Sequence, residues 1–579
     1  MRLKKFLAVT VAVLGCSTNV FAGELSTEKR MEDLNYLYDT LKGNHPNLFY
    51  NHSEEEFEAK KQEIEAHIAD GSDFEFVLDM QSLVALAGDS HTTASLNIYE
   101  GVKIFPINLA RYDGKWTVVA VPNENADMLG KRIIAIEGIP VDEVYKKFST
   151  LCSADNDESL KKQFEQIFYV DEILDYLGIK RQGEPLMLEL ADDTGIKFEL
   201  ALEPIPVEDA MNKKINLASI PQRRLSSPPT DYDGNKNYFG KELNNSAYYI
   251  QYNRCKEDES FTIEEFGKQV NDDLRSGKYT QIIMDLRNNG GGGDGVIQPI
   301  LRIIKEYADE NNSTIYGLIG KRTFSSAIIN SMMIKEMGGY LVGTPTSGSV
   351  DHFGSVNSFR LPNSGLRVGY STKLILMDEY LECGQGFGIE TLQPDLTVEE
   401  SLEDYINGKD TVMEVILKNP KIKSGEKYDP IYMTRGAFVH NLYKIAQKYD
   451  RGDFSEAMDF YDVFPFAKNY DAVAWASENG IAVGIGEGRF APAIPITVQN
   501  AAVIMDRFIA YMGYEIEEEH VLLIDRNISN YALQSVNNMA SIGVIAVKEG
   551  SVGPEKTINA VDGEAMVSRL DTFIAERLS

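Results

Sequence analysis

The chain has 579 residues, of which 43% are hydrophobic and 10% aromatic, a composition that is normal for globular protein and excludes a largely disordered chain. This length predicts about three or four domains. The formal net charge of −31 argues against nucleic acid and anionic membrane surfaces as partners, and it is typical of an acidic, exported protein.

Residues 1–22 have the layout of an export signal. Basic residues precede an apolar run at 6–14, and Val20-Phe21-Ala22 offers a small-residue cleavage site. The apolar run is too short to span a bilayer. An alternative cleavage box of lipoprotein type ends at Cys16, so attachment through a lipid on that cysteine stays open. Either reading predicts a secreted protein.

Three cysteines remain after the signal, Cys152, Cys255 and Cys383, and none has the CxxC spacing of a zinc or redox site. An odd number leaves at least one thiol free. No cluster of histidines and acids has metal-ligand spacing either. We expect no metal and no cofactor.

Helical and strand-like patterns alternate in blocks along the rest of the chain. Apolar residues repeat every three or four positions in residues 24–92, which predicts a helical N-terminal domain. Residues 93–205 alternate as strands do and contain hairpin-type turns, which predicts a β-rich middle domain. Residues 206–246 are polar and proline-containing, which is typical of a connection.

Residues 247–420 form the predicted α/β domain, followed by a linker at 421–430 and by weak repeats at 431–579. The α/β domain contains two strand–loop–helix units in tandem. In the first, an apolar strand at 282–286 is followed by Gly290 to Gly293. In the second, an apolar strand at 315–319 leads to a serine-bearing turn and a helix.

These two loops can supply the parts of an acyl-transfer site. Glycines let backbone N–H groups face a developing oxyanion, and a serine at a strand-to-helix turn can be a nucleophile. The alternative is that Ser325 or Ser326 only caps the helix, and that the glycines only provide flexibility. A phosphate-binding loop is excluded because no Gly-Lys-Ser/Thr follows the glycines.

Short motifs occur in the same order and spacing as in one known family. They are GDSHT at 88–92, DLRNNGGG at 285–292, TFSSA at 323–327, VGTPTSG at 342–348, LPNSG at 361–365 and QPD at 393–395. With them, residues 30–417 resemble the tail-specific, or C-terminal processing, serine peptidases, in the subset of the tricorn core and interphotoreceptor retinoid-binding protein. The resemblance implies an α/β catalytic domain with ββα superhelical character.

The resemblance also implies the oxyanion donors and the nucleophile. Ser325 matches the family nucleophile, with Ser326 as the fallback. The N–H groups of Gly290 or Gly291, together with that of Ser326, are the expected oxyanion donors. Asp285 is expected to close the strand end, as a structural residue.

The general base does not follow the lysine variant of this family. Ser349 stands at the lysine position, and no lysine lies between 340 and 367. The resemblance to the tricorn-like subset then implies His91 as the base, with His352 as its competitor. Glu390 is the candidate acid that orients the histidine. Ile328 stands where a glutamate often supports the lysine, which fits the loss of that lysine.

Residues 431–579 resemble S-layer homology repeats, through the start at 460–463, the helix at 472–481, the turn at 484–492 and the Thr-Arg-Gly opening at 434–436. That family binds secondary polysaccharide of Gram-positive cell walls. Arg435 is the residue expected to contact the anionic polymer.

The positions that correspond to Arg435 in the later repeats are Val498 and Ala560, so two charged contacts are missing. The second tryptophan, Trp475, is expected in the core rather than as a sugar platform.

The predicted fold class is therefore multidomain α/β and α+β: a helical N-terminal domain, a β-rich domain, an α/β catalytic domain and a helical S-layer homology module. The predicted function is an exported serine endopeptidase that acts on peptides or proteins and is attached to the cell wall. A non-catalytic peptide- or lipid-binding protein on the same fold is the alternative, and a wall scaffold is a third. The sequence gives no oligomeric state and no substrate preference.

Overall fold

The computed structural model describes residues 25–95, 102–211, 215–220, 234–244, 246–418, 422, 432–454, 458, 460–464, 467, 469–486, 488–516, 521–525 and 527–578. The predicted export signal with Cys16, and nearly all of the predicted linker at 421–430, lie outside the described residues. The mixture of helical and sheet regions agrees with a multidomain α/β and α+β chain.

The helices of the described part are distributed over its whole length. They are α1 Thr27–Asn44, α2 Glu54–His67, α3 Asp73–Ala85, α4 Val141–Ser149, α5 Asp157–Ile167, α6 Asp171–Tyr176, α7 Val207–Met211, α8 Ile263–Ser276, α9 Gln298–Asn311, α10 Ser326–Glu336, α11 Leu402–Ile406, α12 Thr411–Ile416, α13 Arg435–Lys448, α14 Tyr470–Glu478, α15 Val498–Tyr511, α16 Leu533–Ser541 and α17 Ala560–Leu578.

In the part of the chain that the structure describes, the strands lie between the N-terminal helices and the C-terminal module. They are β1 Thr93–Ala94, β2 Lys103–Ile104, β3 Asn108–Tyr112, β4 Lys115–Pro122, β5 Arg132–Ile136, β6 Ile139–Pro140, β7 Leu186–Ala191, β8 Lys197–Leu202, β9 Ile205–Pro206, β10 Leu217–Ser219, β11 Tyr238–Asn244, β12 Ala247–Tyr252, β13 Gln281–Asp285, β14 Thr314–Ile319, β15 Tyr340–Gly343, β16 His352–Arg360, β17 Arg367–Ile375 and β18 Leu396–Thr397.

The N-terminal helices begin at serines and pack against a hairpin from much later in the chain. Ser53 and Ser72 each close a capping box with the glutamate three residues on, so these helix starts are encoded locally. The apolar faces of α1–α3 share one cluster with Leu361, Leu366 and Val368 of the β16–β17 hairpin. The helical segment is therefore joined to the α/β part through a common core.

The middle sheet has the order β10-β4-β5-β7-β8, with β3 also paired to β4. Its strands are antiparallel, and helices α4 to α6 contribute to the same buried cluster. Because β10 lies beyond residue 205, part of the predicted connection at 206–246 is a strand of this sheet, and another part is β11 of the next sheet. The predicted polar connection is thus structured at both ends, since each end finds an edge strand to pair with.

The α/β sheet has the order β11-β12-β13-β14-β15-β18, and every pair from β12 onward is parallel. Its central strands are buried on both faces, as their continuous apolar runs predict. Because β13 and β14 are parallel neighbours, the loops that follow them emerge at the same edge of the sheet. The glycine loop and the serine turn are therefore adjacent.

A small sheet of order β1-β17-β16 brings the GDSHT segment to that edge. Thr93 and Ala94 pair with Gly369 and Val368, so the segment just before β1 is fixed beside β17. Strand β16 of this sheet begins at His352, whose ring centroid lies 5.5 Å from that of His91. Strand β1 thus belongs to this sheet rather than to the predicted β-rich region at 93–205.

The C-terminal helices α13 to α17 surround their own core, which contains Trp475 at 0% exposure, as expected from the sequence. Phe464, from the loop before α14, instead packs into the core cluster of the α/β part. Nearby, Thr434 Oγ1 donates to Glu382 Oε1 at 2.7 Å. Among the described residues, no helix is both long enough and apolar enough to cross a bilayer.

The α/β part ends in two short helices, α11 and α12, rather than in one continuous helix. Asn407 and Gly408 separate them, and Gly408 has φ +70°, which a continuous helix does not allow. Asp410 then caps α12 through its side chain. The carboxylate of Asp410 also pairs with Arg287, whose guanidinium holds Asp285, so these residues lock the end of β13 as expected.

Candidate active site

Ser325 stands at the turn between β14 and α10 in a strained backbone conformation. Its φ is +54° and its ψ −131°, a region that residues with a side chain rarely adopt. Thr323 holds the turn, because its Oγ1 accepts from Gly320 N at 3.0 Å and donates to Leu286 O at 2.9 Å. Such a turn directs the serine hydroxyl out of the helix start.

The structure does not support the alternative that Ser325 or Ser326 only caps α10. Ser325 makes no side-chain capping bond to α10, and within the described chain its hydroxyl has no hydrogen-bond partner. Ser326 is committed elsewhere, since its Oγ donates to Gly292 O at 2.6 Å. Of the two hydroxyls, only that of Ser325 is available to a substrate.

The glycine loop lies directly against Ser325. A Cβ on Gly291 would stand 2.8 Å from Ser325 Cβ, and one on Gly292 would stand 2.2 Å from Cys255 O. Both glycines have positive φ, +101° and +138°. Only glycine fits at these two positions, because the backbone conformation and the lack of space both exclude a side chain.

Of the expected oxyanion donors, Gly291 is already engaged. Its N–H donates to Asn289 Oδ1 at 2.9 Å, as in the Asx turns that asparagine makes two residues before a turn position. The N–H groups of Gly290 and Ser326 donate to no acceptor in the described part of the chain. These two N–H groups remain as candidate donors, and the expectation for Gly291 is corrected.

Asp89 organises the segment that carries His91. The buried Asp89 carboxylate accepts from the His91 N–H at 2.9 Å, from Thr92 Oγ1 at 2.5 Å and from Ser371 Oγ of β17 at 2.6 Å. Burial alone would raise the pKa of Asp89, but its hydrogen bonds, with that of His45 first, hold the pKa below its ordinary value. Asp89 is therefore a fixed anion.

The His91 ring is packed between two other rings. It stacks on Phe324 at 4.5 Å between centroids and on His352 at 5.5 Å. Neither ring nitrogen has a hydrogen-bond partner among the described residues, although Nδ1 lies 3.9 Å from Asp89 Oδ1. Burial lowers the pKa of His91 to about 4, and the charge of Asp89 offsets this only in part. His91 is neutral at neutral pH.

The structure thus brings His91 against the residue that precedes Ser325, although about 230 residues separate them in the sequence. No hydrogen bond joins the Ser325 hydroxyl to the His91 ring. His352, the competing base, is oriented by two carbonyls: its Nδ1 lies 3.1 Å from Ser349 O and 3.1 Å from Val350 O. Its Nε2, which has no hydrogen-bond partner among the described residues, is then the acceptor nitrogen.

Glu390 is not brought to His91. Its side chain is exposed, and only its backbone approaches the site, through Val350 N donating to Glu390 O at 2.9 Å. The carboxylate nearest to the histidine is that of Asp89. The sequence prediction put the orienting acid at Glu390, after the serine. In the structure the acid beside the ring is Asp89, two residues before His91.

The β-rich region contributes side chains that sequence reasoning missed. From this region, Asn156 Nδ2 donates to Ser349 Oγ at 3.0 Å, and Lys162 Nζ lies 3.5 Å from Ser347 Oγ. Lys162 Nζ also lies 5.2 Å from the centroid of the Phe324 ring. No local signal marks these residues, because α5 reads as an ordinary amphipathic helix.

Arg435, expected at the wall-binding surface, is largely committed to its own module. Its Nε donates to Phe490 O at 3.0 Å, a second nitrogen donates to Val483 O, and the guanidinium lies 4.7 Å from the centroid of the Phe490 ring. Burial lowers the pKa of Arg435 to about 10, which still leaves it charged at neutral pH.

Residues 459–497 match the family model of the S-layer homology domain, which confirms that part of the sequence prediction. A domain of this family indicates association with the cell surface. No curated protein is similar enough to count as a match.

Solved structures with a similar arrangement exist at low identity. Mature CPAF is 12% identical with a TM-score of 0.47, over 69% of this chain and 99% of that chain. The photosystem II D1 C-terminal processing protease is 12% identical with a TM-score of 0.31, over 66% and 98%. A lipoprotein from Streptococcus agalactiae is 15% identical with a TM-score of 0.22, over 48% and 88%.

Proposed function

We propose that this chain is a serine peptidase in which Ser325 is the nucleophile and His91 the general base. The observation that carries the proposal is the backbone of Ser325, whose φ of +54° is held at a strand-to-helix turn while its hydroxyl caps nothing. A serine that only ended a loop would adopt the ordinary extended conformation of a cap.

In the proposed reaction the Ser325 hydroxyl attacks a peptide carbonyl and gives its proton to His91. The C–N bond breaks as His91 returns the proton to the leaving amine, and water then releases the acyl group by the same route. The N–H groups of Gly290 and Ser326 stabilise the oxyanion. Asp89 favours the imidazolium that forms during proton transfer.

The hydrogen bond between Ser325 and His91 has to form when substrate is bound. Catalytic hydrogen bonds are often long or misaligned without substrate, so its absence here is compatible with the proposal. The stacking of His91 on Phe324 supports the proposal, because Phe324 adjoins Ser325 in the chain. The His91 ring therefore needs a movement of side chains, and not of domains, to reach the Ser325 hydroxyl.

The direct test is labelling of the purified full chain by a serine-directed fluorophosphonate, together with hydrolysis of a peptide mixture. Ser325→Ala is expected to abolish both, and Ser326→Ala, which removes a hydroxyl bonded to Gly292, is the matched control that keeps labelling. Equal labelling of wild type and Ser325→Ala would refute the assignment.

A non-catalytic peptide- or lipid-binding protein is the second candidate. The buried, unpartnered ring of His91 favours it, since no serine–histidine bond has formed. This candidate predicts no fluorophosphonate labelling and saturable binding of peptides or lipids, with Ser325→Ala binding as well as the wild type.

We further propose that the module at 431–579 attaches the peptidase to cell-wall polysaccharide, with Arg435 contributing through the guanidinium donors its own module leaves unused. The S-layer homology match at 459–497 supports this. The full chain is expected to sediment with purified Gram-positive walls and to remain in solution with walls whose secondary polysaccharide has been extracted. Equal retention on both wall samples would remove the polysaccharide from the proposal.

A further inference from the structure

A cation from the β-rich region stands beside the proposed nucleophile. Lys162, on α5, lies with its Nζ 5.2 Å from the centroid of the Phe324 ring and 3.5 Å from Ser347 Oγ. Phe324 is the residue before Ser325, and its ring also contacts His91. The ammonium group is therefore close to the turn that carries Ser325.

Lys162 lacks a counter-ion. Within the described part of the chain, no carboxylate lies within the 4.0 Å of a salt bridge from its Nζ. The acid that acts on it electrostatically, Glu165, is instead paired with Lys321 at 3.1 Å. Its neighbour Lys161 shows the contrast, because it is paired with Asp157 at 2.6 Å and with Glu158 at 2.7 Å.

A partly buried cation without a counter-ion is costly, and an anion from a ligand would relieve that cost. Burial, and next to it the positive charge of Arg322, lower the pKa of Lys162. Arg322 is exposed and lies only three residues before Ser325. Two positive side chains thus flank the serine on a protein whose net charge is −31.

We propose that Lys162, assisted by Arg322, binds a carboxylate of the peptide substrate close to the scissile bond. This rests on the proposed peptidase function and adds a substrate class to it: peptides with either a free C-terminus or an acidic side chain near the cleavage point. Lys162 Nζ lies 5.2 Å from the ring centroid of Phe324, the residue before Ser325, and an extended chain spans about 3.4 Å per residue, so the carboxylate lies within a few residues of the attacked carbonyl.

The net negative charge of the protein does not prevent this selectivity. Exposed charges further away than about 8 Å are screened at physiological ionic strength, whereas a partly buried contact with Lys162 is screened little. A lysine ammonium beside Ser347 Oγ offers a charge-assisted hydrogen bond, which is roughly twice as strong as a neutral one. Lys162 therefore decides the local preference for carboxylate over a neutral group.

The test compares three pools of hexapeptides whose other side chains are uncharged and which differ only in one group. The first has a free C-terminal carboxylate, the second a C-terminal amide, and the third a C-terminal amide with one internal aspartate. For the wild type we expect kcat/KM to be about tenfold higher for the preferred carboxylate pool than for the neutral amide pool. Preference for the first or the third pool identifies the source of the carboxylate.

Lys162→Met is expected to abolish this preference, because methionine keeps the apolar contact with Phe324 but not the charge. Lys162→Arg is expected to restore most of it, and the matched control Lys161→Met to leave it unchanged. The ratio between pools is the readout, since a merely structural role of Lys162 would lower all rates together. An equal ratio in the wild type and Lys162→Met would overturn the inference.

Failure of the proposed function gives a different pattern. Anisotropy measurements with fluorescently labelled pools on full-length Ser325→Ala measure binding without turnover. Stronger binding of a carboxylate pool that disappears in Ser325→Ala/Lys162→Met supports the carboxylate site whether or not the wild type hydrolyses peptides. Equal binding of all pools by both variants would remove the site, even if Ser325-dependent hydrolysis is observed.

Discussion

Phe324 and His91 stack with 4.5 Å between their ring centroids and 24° between their planes, and this contact joins the serine turn to the histidine segment. Phe324 is directly attached to the proposed nucleophile, while His91 is held by the Asp89 turn before β1. Each of the two proposed catalytic side chains is thus positioned by a different part of the chain, and the aromatic contact sets their spacing.

His91→Ala is expected to lower kcat by about 10²- to 10⁴-fold, the usual range for loss of a general base, with a smaller change in KM. His352→Ala is the matched control, because it removes the other histidine of the stack. Steady-state hydrolysis by both variants decides between the two bases. A large loss in His352→Ala with activity retained in His91→Ala would exchange their roles.

The pH profile of the wild type should extend further to the acid side than that of a peptidase whose histidine has its ordinary pKa of about 6.5. The neutral form of His91 is the proposed base, so kcat/KM is expected to fall only when the pH drops through its folded-state pKa of about 4. Activity at pH 5.5 is therefore expected within about twofold of that at pH 7. A midpoint near pH 6.5 would contradict the burial of the ring.

Phe324→Ala should move that acid limb upward. Removing the stacked ring lets water reach His91, which relieves the burial that lowers its pKa. We expect the apparent pKa of kcat/KM to rise by about one unit or more towards 6.5. Phe359→Ala, on β16 and in contact with Tyr36 instead, is the control that should leave the profile in place.

Gly291→Ala should disable the site, whereas Gly293→Ala should not. The added methyl group at 291 would lie 2.8 Å from Ser325 Cβ, at a φ of +101°, so the serine has to move. A displacement of about 1 Å costs roughly 100-fold in rate. At Gly293 the nearest atom would be 3.6 Å away, an ordinary contact. Fluorophosphonate labelling rates of both variants, with thermal unfolding to verify folding, measure the difference.

Phe464→Ala should destabilise the α/β part although the residue belongs to the C-terminal region. Phe464 is 4% exposed in the α/β core cluster, and truncation of a buried phenylalanine costs about 3–5 kcal/mol. Tyr461→Ala, three residues earlier and 64% exposed, should cost less than about 0.5 kcal/mol. Thermal unfolding of the full chain compares the two, and similar melting temperatures would argue against the contact.

Local patterns were enough to predict the tandem strand–loop–helix units. The apolar run predicted as a strand at 315–319 is β14, Thr314–Ile319, and the helix expected after the serine-bearing turn is α10, Ser326–Glu336. Both follow from hydrophobic runs bounded by glycines and polar turns. The domain boundaries remain predictions, although the pairing of β1 and β10 shows that sheet membership does not follow the chain order.

What local patterns did not predict are contacts made across the fold. Asp89 and Ser371 of β17 are bonded although 282 residues separate them, and no local spacing encodes that contact. The place of Asp89 beside His91 is local by contrast, because the two residues are only two positions apart. Lys162 reaches Phe324 only because α5 docks on the loop of Ser347 and Ser349. The bond from Gly291 to Asn289 is local as well, because an asparagine two residues before a turn glycine is a sequence signal for it.

The Asp89 carboxylate accepts a bond from Ser371, and Asp33 of α1 accepts one from Ser364 N at 2.7 Å, so the first and last parts of this region fasten each other. A ribosome or a secretion channel delivers the chain from its N-terminus, so His91 emerges long before Ser325. The His91 segment takes its final position only when β17, which follows both residues, has also emerged. On the proposed function, a half-delivered chain has no hydrolytic activity.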